Sequence, residues 1–326
     1  MSRSASQQPF IADILNKETV GAVLFYVEIA GCVIKIHSIY SYVWEYCRAY
    51  LLPEQKPAAV DFELTMERAD IAFEKRKSEE EDIREGRPVR RFSEEYLETL
   101  AVYRRLADKL LERNILLMHG SAVAVDGKGY LFTAPSGTGK STHTRLWREY
   151  FGNRAVMIND DKPLLKITEK GAIVYGTPWD GKHRLSTNAA VPLQGICILK
   201  RDCSNRLETA DRRLAYPMIV QQTHRPLQPE KLTVTLQLID RLMQRIPIYQ
   251  LYCNMEYEAV EAAYGGMKKE QEGRLKNKIF QSRDLCLRTL DTNSLCAKDV
   301  RRKGDKDDTS GLHMGEAGTD DPEGRV

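Results

Sequence analysis

The sequence predicts an α/β fold in which a glycine-bearing loop joins a strand to a helix. Three observations carry that expectation. A short apolar run at 129–133 is followed by Ala134-Pro135-Ser136-Gly137-Thr138-Gly139-Lys140-Ser141 and then by a helical stretch at 141–150. Leu97, Leu100, Tyr103, Leu106, Ala107, Leu110 and Leu111 recur at three- and four-residue steps, one apolar face of a helix. Runs suited to strands lie on both sides, at 23–29, 32–36, 155–158, 195–199 and 247–253.

Taken in order, the first two runs are separated by Ala30-Gly31, which suggests a hairpin. Residues 61–66 alternate polar and apolar, as a half-buried strand does, and a helix lies between these strands. The stretch 75–91 is mostly charged and reads as an exposed connection. Ser93 can cap the next helix, Glu94 and Glu95 suit its positive end, and Asn114 can close it. Strands at 121–125 and 129–133 flank an Asp126-Gly127 turn, and the short strand 155–158 runs into Asn159-Asp160-Asp161. Leu232, Leu236, Ile239, Leu242, Met243 and Ile246 line a later helix, and a last one at 256–264 is expected to stop at Gly265-Gly266. Beyond Met267 aromatics almost vanish, and 268–326 reads as a largely disordered tail. The division expected is a small α+β region at 1–92, a nucleotide-binding domain at 93–267 and that tail.

Composition narrows the class. With 42% hydrophobic and 29% charged residues, the chain has the make-up of an ordinary soluble globular protein. Its net charge of +3 does not argue for nucleic acid, and the basic clusters at 75–77, 90–91 and 301–303 are scattered. Seven cysteines, an odd number with no two-residue spacing, fit free thiols in a reducing compartment. Residues 1–8 lack the apolar core of a signal peptide, and the most apolar stretch, 20–34, is too short to span a membrane and carries Glu28. The expectation is a cytoplasmic protein with neither a nucleic-acid nor a membrane partner.

The loop carries the chemistry. Backbone N–H groups can wrap a phosphate only where side chains are small, and Gly137 and Gly139 supply the bend. Ser136, Thr138 and Thr142 complete the cradle, Lys140 can reach the outer phosphates, and Ser141 can place a hydroxyl on a magnesium ion. A helix beginning at the loop aims its free N–H groups and dipole at the anion. Ala134 departs from the full pattern, which has glycine there; its methyl is tolerable if the residue keeps a negative φ.

Two adjacent acids at a strand end point to different sides, so that of Asp160 and Asp161 one can serve a metal while the other accepts a proton. Asp-Asp-Lys-Pro is also a good turn sequence. His119 is placed by its own pattern only near the sheet. The segment from Gly176 to Arg184 is a loop by its Pro and Gly; Lys182 and Arg184 could grip a phosphate or an acidic substrate there, or Trp179 could simply tuck into the core.

Met118-His119-Gly120-Ser121-Ala122, then Ser136-Gly137-Thr138-Gly139-Lys140-Ser141-Thr142, then Asn159-Asp160-Asp161, resemble in order and kind the HPr kinase and phosphoenolpyruvate carboxykinase superfamily, the compact bacterial HPr-kinase-like proteins above all. The resemblance spans roughly 115–265. It implies a mixed-sheet P-loop fold and ATP with Mg²⁺ or Mn²⁺, with Lys140 on the β- and γ-phosphates and Ser141 on the metal. It also makes His119 and Asp161 candidate ligands of a second metal, and Asp160 or Asp161 the candidate base. The chain is much shorter than a carboxykinase, and the segment that HPr kinase/phosphorylases use for phosphorolysis is not found, so neither activity is carried over.

The function expected is therefore an ATP-dependent kinase moving the γ-phosphoryl group to a hydroxyl, on a serine of a protein or peptide or on a small molecule. The alternative is a non-catalytic ATP-binding sensor. The acidic pair separates them, because a mere binder needs one metal carboxylate. Self-association into a homo-oligomer is left open.

Overall fold

The computed structural model describes residues 22–53, 57–269 and 273. The described residues up to Lys268 form one compact unit, which holds the sheets and the helices packed on them. The expected disordered tail, apart from its first residues, and the first eight residues, expected to lack a signal peptide, lie outside the described residues.

The chain is mixed α/β. Its amino-terminal part is a three-stranded sheet, β1 (Val23–Ile29), β2 (Cys32–Ser38) and β3 (Phe62–Thr65), in that spatial order. The first two form the expected hairpin. Ala30 and Gly31 have φ of 56° and 71°, the left-handed pair that a two-residue hairpin turn needs. β3 runs parallel to β2, and helix α1 (Ser41–Tyr46) sits in the crossover.

The charged stretch at 75–91 is not the exposed connection expected. Helix α2 covers Arg68–Arg84. It lacks an apolar stripe because several of its inward contacts are ionic: Glu74 accepts from Arg104 Nε at 2.5 Å, and Asp70 from Arg104 Nη2 at 3.1 Å. Near its end, Asp82 is buried against the Arg90 guanidinium, 2.8 Å away. Periodicity of apolar residues cannot reveal a helix whose packed face is carboxylate.

Helix α3 (Glu94–Leu110) follows as expected, with the Ser93 hydroxyl accepting from the Tyr96 N–H and Asn114 closing the segment at φ 59°. Ala101, Leu106 and Leu110 of α3 share one buried cluster with Val27, Ile34 and Leu64 of the first sheet and with Leu117 and Leu164 of the second. The two sheets are therefore joined through α3.

The larger sheet has the order β4 (Ile115–Leu117), β8 (Leu164–Thr168), β9 (Gly171–Tyr175), β10 (Ala190–Arg201), β6 (Lys128–Thr133), β5 (Ser121–Val125), β7 (Ala155–Asn159). β12 (Ile248–Cys253) pairs with β10, and β11 (Arg206–Thr209) pairs with β12. β10 runs parallel to β6 and β12, whereas β5 is antiparallel to both β6 and β7. Strands β6, β7, β10 and β12 thus all point one way and end at the same edge of the sheet, where β5 begins. Helix α4 (Lys140–Phe151) packs on β5 and β7, and α5 (Arg212–Gln222) and α6 (Pro229–Arg245) complete the layer around β9 and β8.

The last helix, 257–269, runs straight through Gly265-Gly266 rather than stopping there. Neither glycine has the positive φ of a helix-ending cap. Gly266 instead permits close packing: a Cβ there would lie 2.7 Å from Leu207 Cδ2 on β11. One turn holds Met267, fully buried beside Cys197. Cys32, Cys47, Cys197, Cys203 and Cys253 are all free thiols, and among the described residues no helix is long and apolar enough to cross a membrane. The apolar stretch at 20–34 that raised that question supplies the β1–β2 hairpin.

His143 on α4 gives the fold a pH dependence. Its Nε2 accepts from Trp147 Nε1 at 3.0 Å, and burial lowers its pKa to about 3. The unfolded chain binds a proton at this residue near pH 6.5 and the folded chain does not, so stability present at pH 7 is lost as pH falls below the unfolded value. Urea denaturation between pH 6.5 and 5 should show a loss approaching ~1.4 kcal/mol per pH unit from this residue. His143→Gln should have a flatter profile; an unchanged slope would mean that the imidazole is not held neutral.

Candidate active site

Each element of the site follows from the shared strand edge. β6 ends in the loop that leads into α4. The chain turns on Gly137 and Gly139, with φ of 77° and 121°, which a side chain would strain. Ala134 is fully buried with ordinary backbone, so its methyl is accommodated as anticipated. Lys140 opens the helix, and its Nζ donates to the carbonyl of Ala134 at 2.9 Å. Burial pulls the ammonium below its ordinary pKa, opposed by the nearby Asp161 carboxylate. Ser141 is exposed at the first turn of α4.

β7 ends next to this loop because β5 lies between β6 and β7 and is antiparallel to both. Asp160 and Asp161 do diverge. Asp160 is buried, and its Oδ1 accepts from Ser121 Oγ at 2.6 Å. Ser121 Oγ also lies 2.8 Å from Thr144 Oγ1 on α4, so one buried chain of oxygens links β7, β5 and the helix of the loop. Asp161 is about one-third exposed and faces His119 Nε2 and Lys162 Nζ, each at 3.3 Å from Oδ1. Burial and the charges of Lys162 and Lys140 hold the His119 pKa well below its ordinary value, so the imidazole is neutral at pH 7.

Asn159, fully buried, shapes the turn between the two acids. Its Oδ1 accepts the N–H groups of Asp161 (2.9 Å) and Lys162 (2.6 Å), while its Nδ2 donates to the Thr177 carbonyl at 3.0 Å. The acidic turn and the Gly176 to Arg184 loop are therefore one unit. His119 is fixed in turn by α5, its N–H donating to the Gln222 carbonyl at 2.6 Å.

All the residues singled out in the sequence, Thr138 excepted, line a single cleft of about 930 Å³: His119, Ser136, Gly137, Gly139, Lys140, Ser141, Thr142, Asp160, Asp161, Lys182 and Arg184. Thr138 turns away and lines a second pocket of about 450 Å³ on the other side of the loop, beside Leu146, Leu199, Cys253 and Met255. Arg184, suggested as a grip for an anion, lines the cleft half-exposed and is already engaged by its neighbours. Its guanidinium pairs with Asp180 at 3.2 Å and stacks on the Tyr46 ring at 4.1 Å. Trp179 is tucked into the core, donating from Nε1 to the Thr99 carbonyl at 2.9 Å, and yet one side of it borders the cleft.

Several contributors had no sequence signal. Tyr42 and Tyr46 on α1 and Tyr96 and Tyr103 on α3 wall the cleft, brought there by packing of separate segments of the chain. Arg201, at the end of β10, donates to the carbonyls of Thr138 (3.1 Å) and Gly137 and braces the loop from outside. An arginine at a strand end is too common a feature to stand out before the strand order is known.

No protein-family model matches the chain, and no curated protein matches it. Among solved structures it is similar to the Hpr(Ser) kinase/phosphatase from Coxiella burnetii, at 13% identity and a TM-score of 0.29, over 50% of this chain and 97% of that one.

Proposed function

We propose that this protein is an ATP-dependent phosphotransferase that moves the γ-phosphoryl group of ATP to a hydroxyl. The observation that supports it best is the convergence of Lys140, Ser141, Asp160, Asp161 and His119 on one cleft at a common strand edge. A nucleotide-binding sensor needs the loop but has no use for a second carboxylate held half-open beside it.

The two pockets suit the two ends of a nucleotide. The triphosphate lies over the loop, cradled by the N–H groups at the start of α4 and by Lys140. The base enters the smaller pocket, whose apolar walls Leu146, Leu199 and Met255 suit a flat ring. Ser141, Asp160 and Asp161 line the cleft together and would hold a hard cation, since Mg²⁺ takes one or two protein oxygens and completes its shell with phosphate and water. When bound, it neutralises charge on the transferring group. For a second cation the set is thinner: His119 and Asp161 face each other, but among the described residues no three His, Cys, Asp or Glu side chains gather.

The remaining steps belong to the chain itself. In this reading Asp160, with one oxygen tied to Ser121, serves the metal side. Asp161, open to the cleft, accepts the proton of the entering hydroxyl. The hydroxyl oxygen forms a bond to the γ-phosphorus, the bond from that phosphorus to the bridging oxygen breaks, and ADP leaves. Incubation with γ-labelled ATP, Mg²⁺ and a cell extract tests this. Label should pass to an acceptor; if ATP binds and no species gains label, the sensor reading replaces it.

Arg201 has a separable role. Arg201→Ala should weaken ATP binding about ten-fold by loosening the Gly137–Thr138 carbonyls, the scale of one or two charge-assisted hydrogen bonds. The rate at saturating ATP should stay within about three-fold, because Arg201 touches the loop and not the acidic pair. Titration with a fluorescent ATP analogue and the saturated rate together check it.

A further inference from the structure

The cleft extends well past the acidic pair, and its outer half has a distinct character. Gly181 lies directly over Asp161: a Cβ at this glycine would be 3.3 Å from Asp161 Cβ. The next residue, Lys182, lines the cleft and is exposed, and it makes no ion pair among the described residues. Its neighbours are committed elsewhere. Arg184 pairs with Asp180, Lys162 with Asp161, and Arg90 with Asp82.

The loop that presents Lys182 is braced. Arg184 has φ of 52°, an unfavourable backbone for an arginine, and such a conformation persists only where its surroundings over-determine it. Here the Asp180 carboxylate, the Pro178 carbonyl and the Tyr46 ring hold its guanidinium. Asp180 is itself buried and takes a hydrogen bond from Ser186 Oγ at 2.9 Å. The amino-terminal part of the chain, through Tyr46 on α1, thus helps to hold the loop. Tyr42, Tyr46 and Tyr96 line the same cleft and offer aromatic surface without charge.

We infer that this outer half is an acceptor subsite for an anion, with Lys182 pairing a carboxylate or phosphate group a few bonds from the hydroxyl that Asp161 deprotonates. The inference rests on the phosphotransferase reading and names its substrate class: a hydroxyl compound, free or part of a larger molecule, that carries negative charge close to the reacting oxygen. Lys182 is here a specificity-determining residue, because an anionic acceptor gains a charge-assisted contact that an uncharged one cannot make.

The test uses the full chain loaded with Mg²⁺ and a non-hydrolysable ATP analogue. Three probes are titrated by ligand-observed NMR: N-acetylserine, its neutral amide, and glycerol 3-phosphate. At least one anionic probe should bind roughly ten-fold more tightly than the amide, and which one does distinguishes carboxylate from phosphate. Lys182→Glu should abolish that preference, with affinity for the nucleotide analogue measured in parallel to show that the variant is folded. Equal binding of charged and neutral probes, a preference that survives in Lys182→Glu, or no binding of either anion at millimolar concentration overturns the inference. Transfer of label from γ-labelled ATP to the same probes separates the two claims. An anion preference without transfer would sink the phosphotransferase reading and leave the anion subsite standing.

Discussion

Lys140→Ala is expected to cut ATP turnover by at least about 100-fold and to weaken ATP binding severely. The ammonium is buried at the start of α4 and lies within the loop, where its only hydrogen-bond acceptors among the described residues are the carbonyls of Ala134 and Pro135. Each charge-assisted contact that it makes to phosphate is worth about 1.5–3 kcal/mol, and the contact to the outer phosphates strengthens as charge develops there. The fold loses two contacts to backbone carbonyls but is also relieved of a buried ammonium. The two effects oppose each other, so the variant should unfold at nearly the same urea concentration as the parent. Isothermal titration with ATP and the labelled-phosphate assay measure the two effects. Unchanged binding and turnover would mean that the loop does not hold the triphosphate.

Asp161→Asn is expected to reduce transfer by about 10²–10⁴-fold while ATP still binds, the scale of losing a positioned base. Asparagine keeps the shape, and its amide oxygen can still face His119 and Lys162, so the turn shaped by Asn159 should survive. Asp160→Asn should differ in kind. Asp160 Oδ1 accepts from Ser121 Oγ, which is linked to Thr144 on α4; an amide nitrogen there would face the hydroxyl and disturb that chain. Its loss should therefore include a higher Mg²⁺ concentration for half-maximal rate and some loss of stability. Rates measured against Mg²⁺ concentration for both variants distinguish the roles. If Asp161→Asn transfers phosphate at the parental rate, the proton acceptor lies elsewhere.

Much of the site could be read before any fold was known, because its parts are local. A loop that must wrap a phosphate needs glycine at fixed offsets from a lysine, and a carboxylate pair at a strand end is visible as Asn159-Asp160-Asp161. The hairpin at Ala30-Gly31, the capped helix from Ser93 and the strand into the loop are legible for the same reason: backbone geometry there is dictated by residues within a turn's reach. The misreadings share a cause as well. Helix α2 was hidden because Glu74 and Asp82 face arginines distant in sequence or across a turn, so no apolar period marks it. Gly265-Gly266 looked like a helix end, whereas the glycine at 266 answers to Leu207, some sixty residues earlier.

The sequence by itself determined that an α/β chain carries a glycine-bearing loop between a strand and a helix, a lysine and hydroxyl at its helix start, an acidic pair after a strand, and a histidine before one. Tertiary structure alone decided that these meet. β5 runs antiparallel between β6 and β7, which puts the loop, Asp160, Asp161 and His119 at one sheet edge. It also decided that Arg184 serves as a brace, that Lys182 near Asp161 makes no ion pair among the described residues, and that tyrosines from α1 and α3 wall the cleft. The physical reason is range. Phosphate-loop chemistry is specified by neighbours in sequence, whereas strand order and ion pairing depend on residues that meet only once the core has closed.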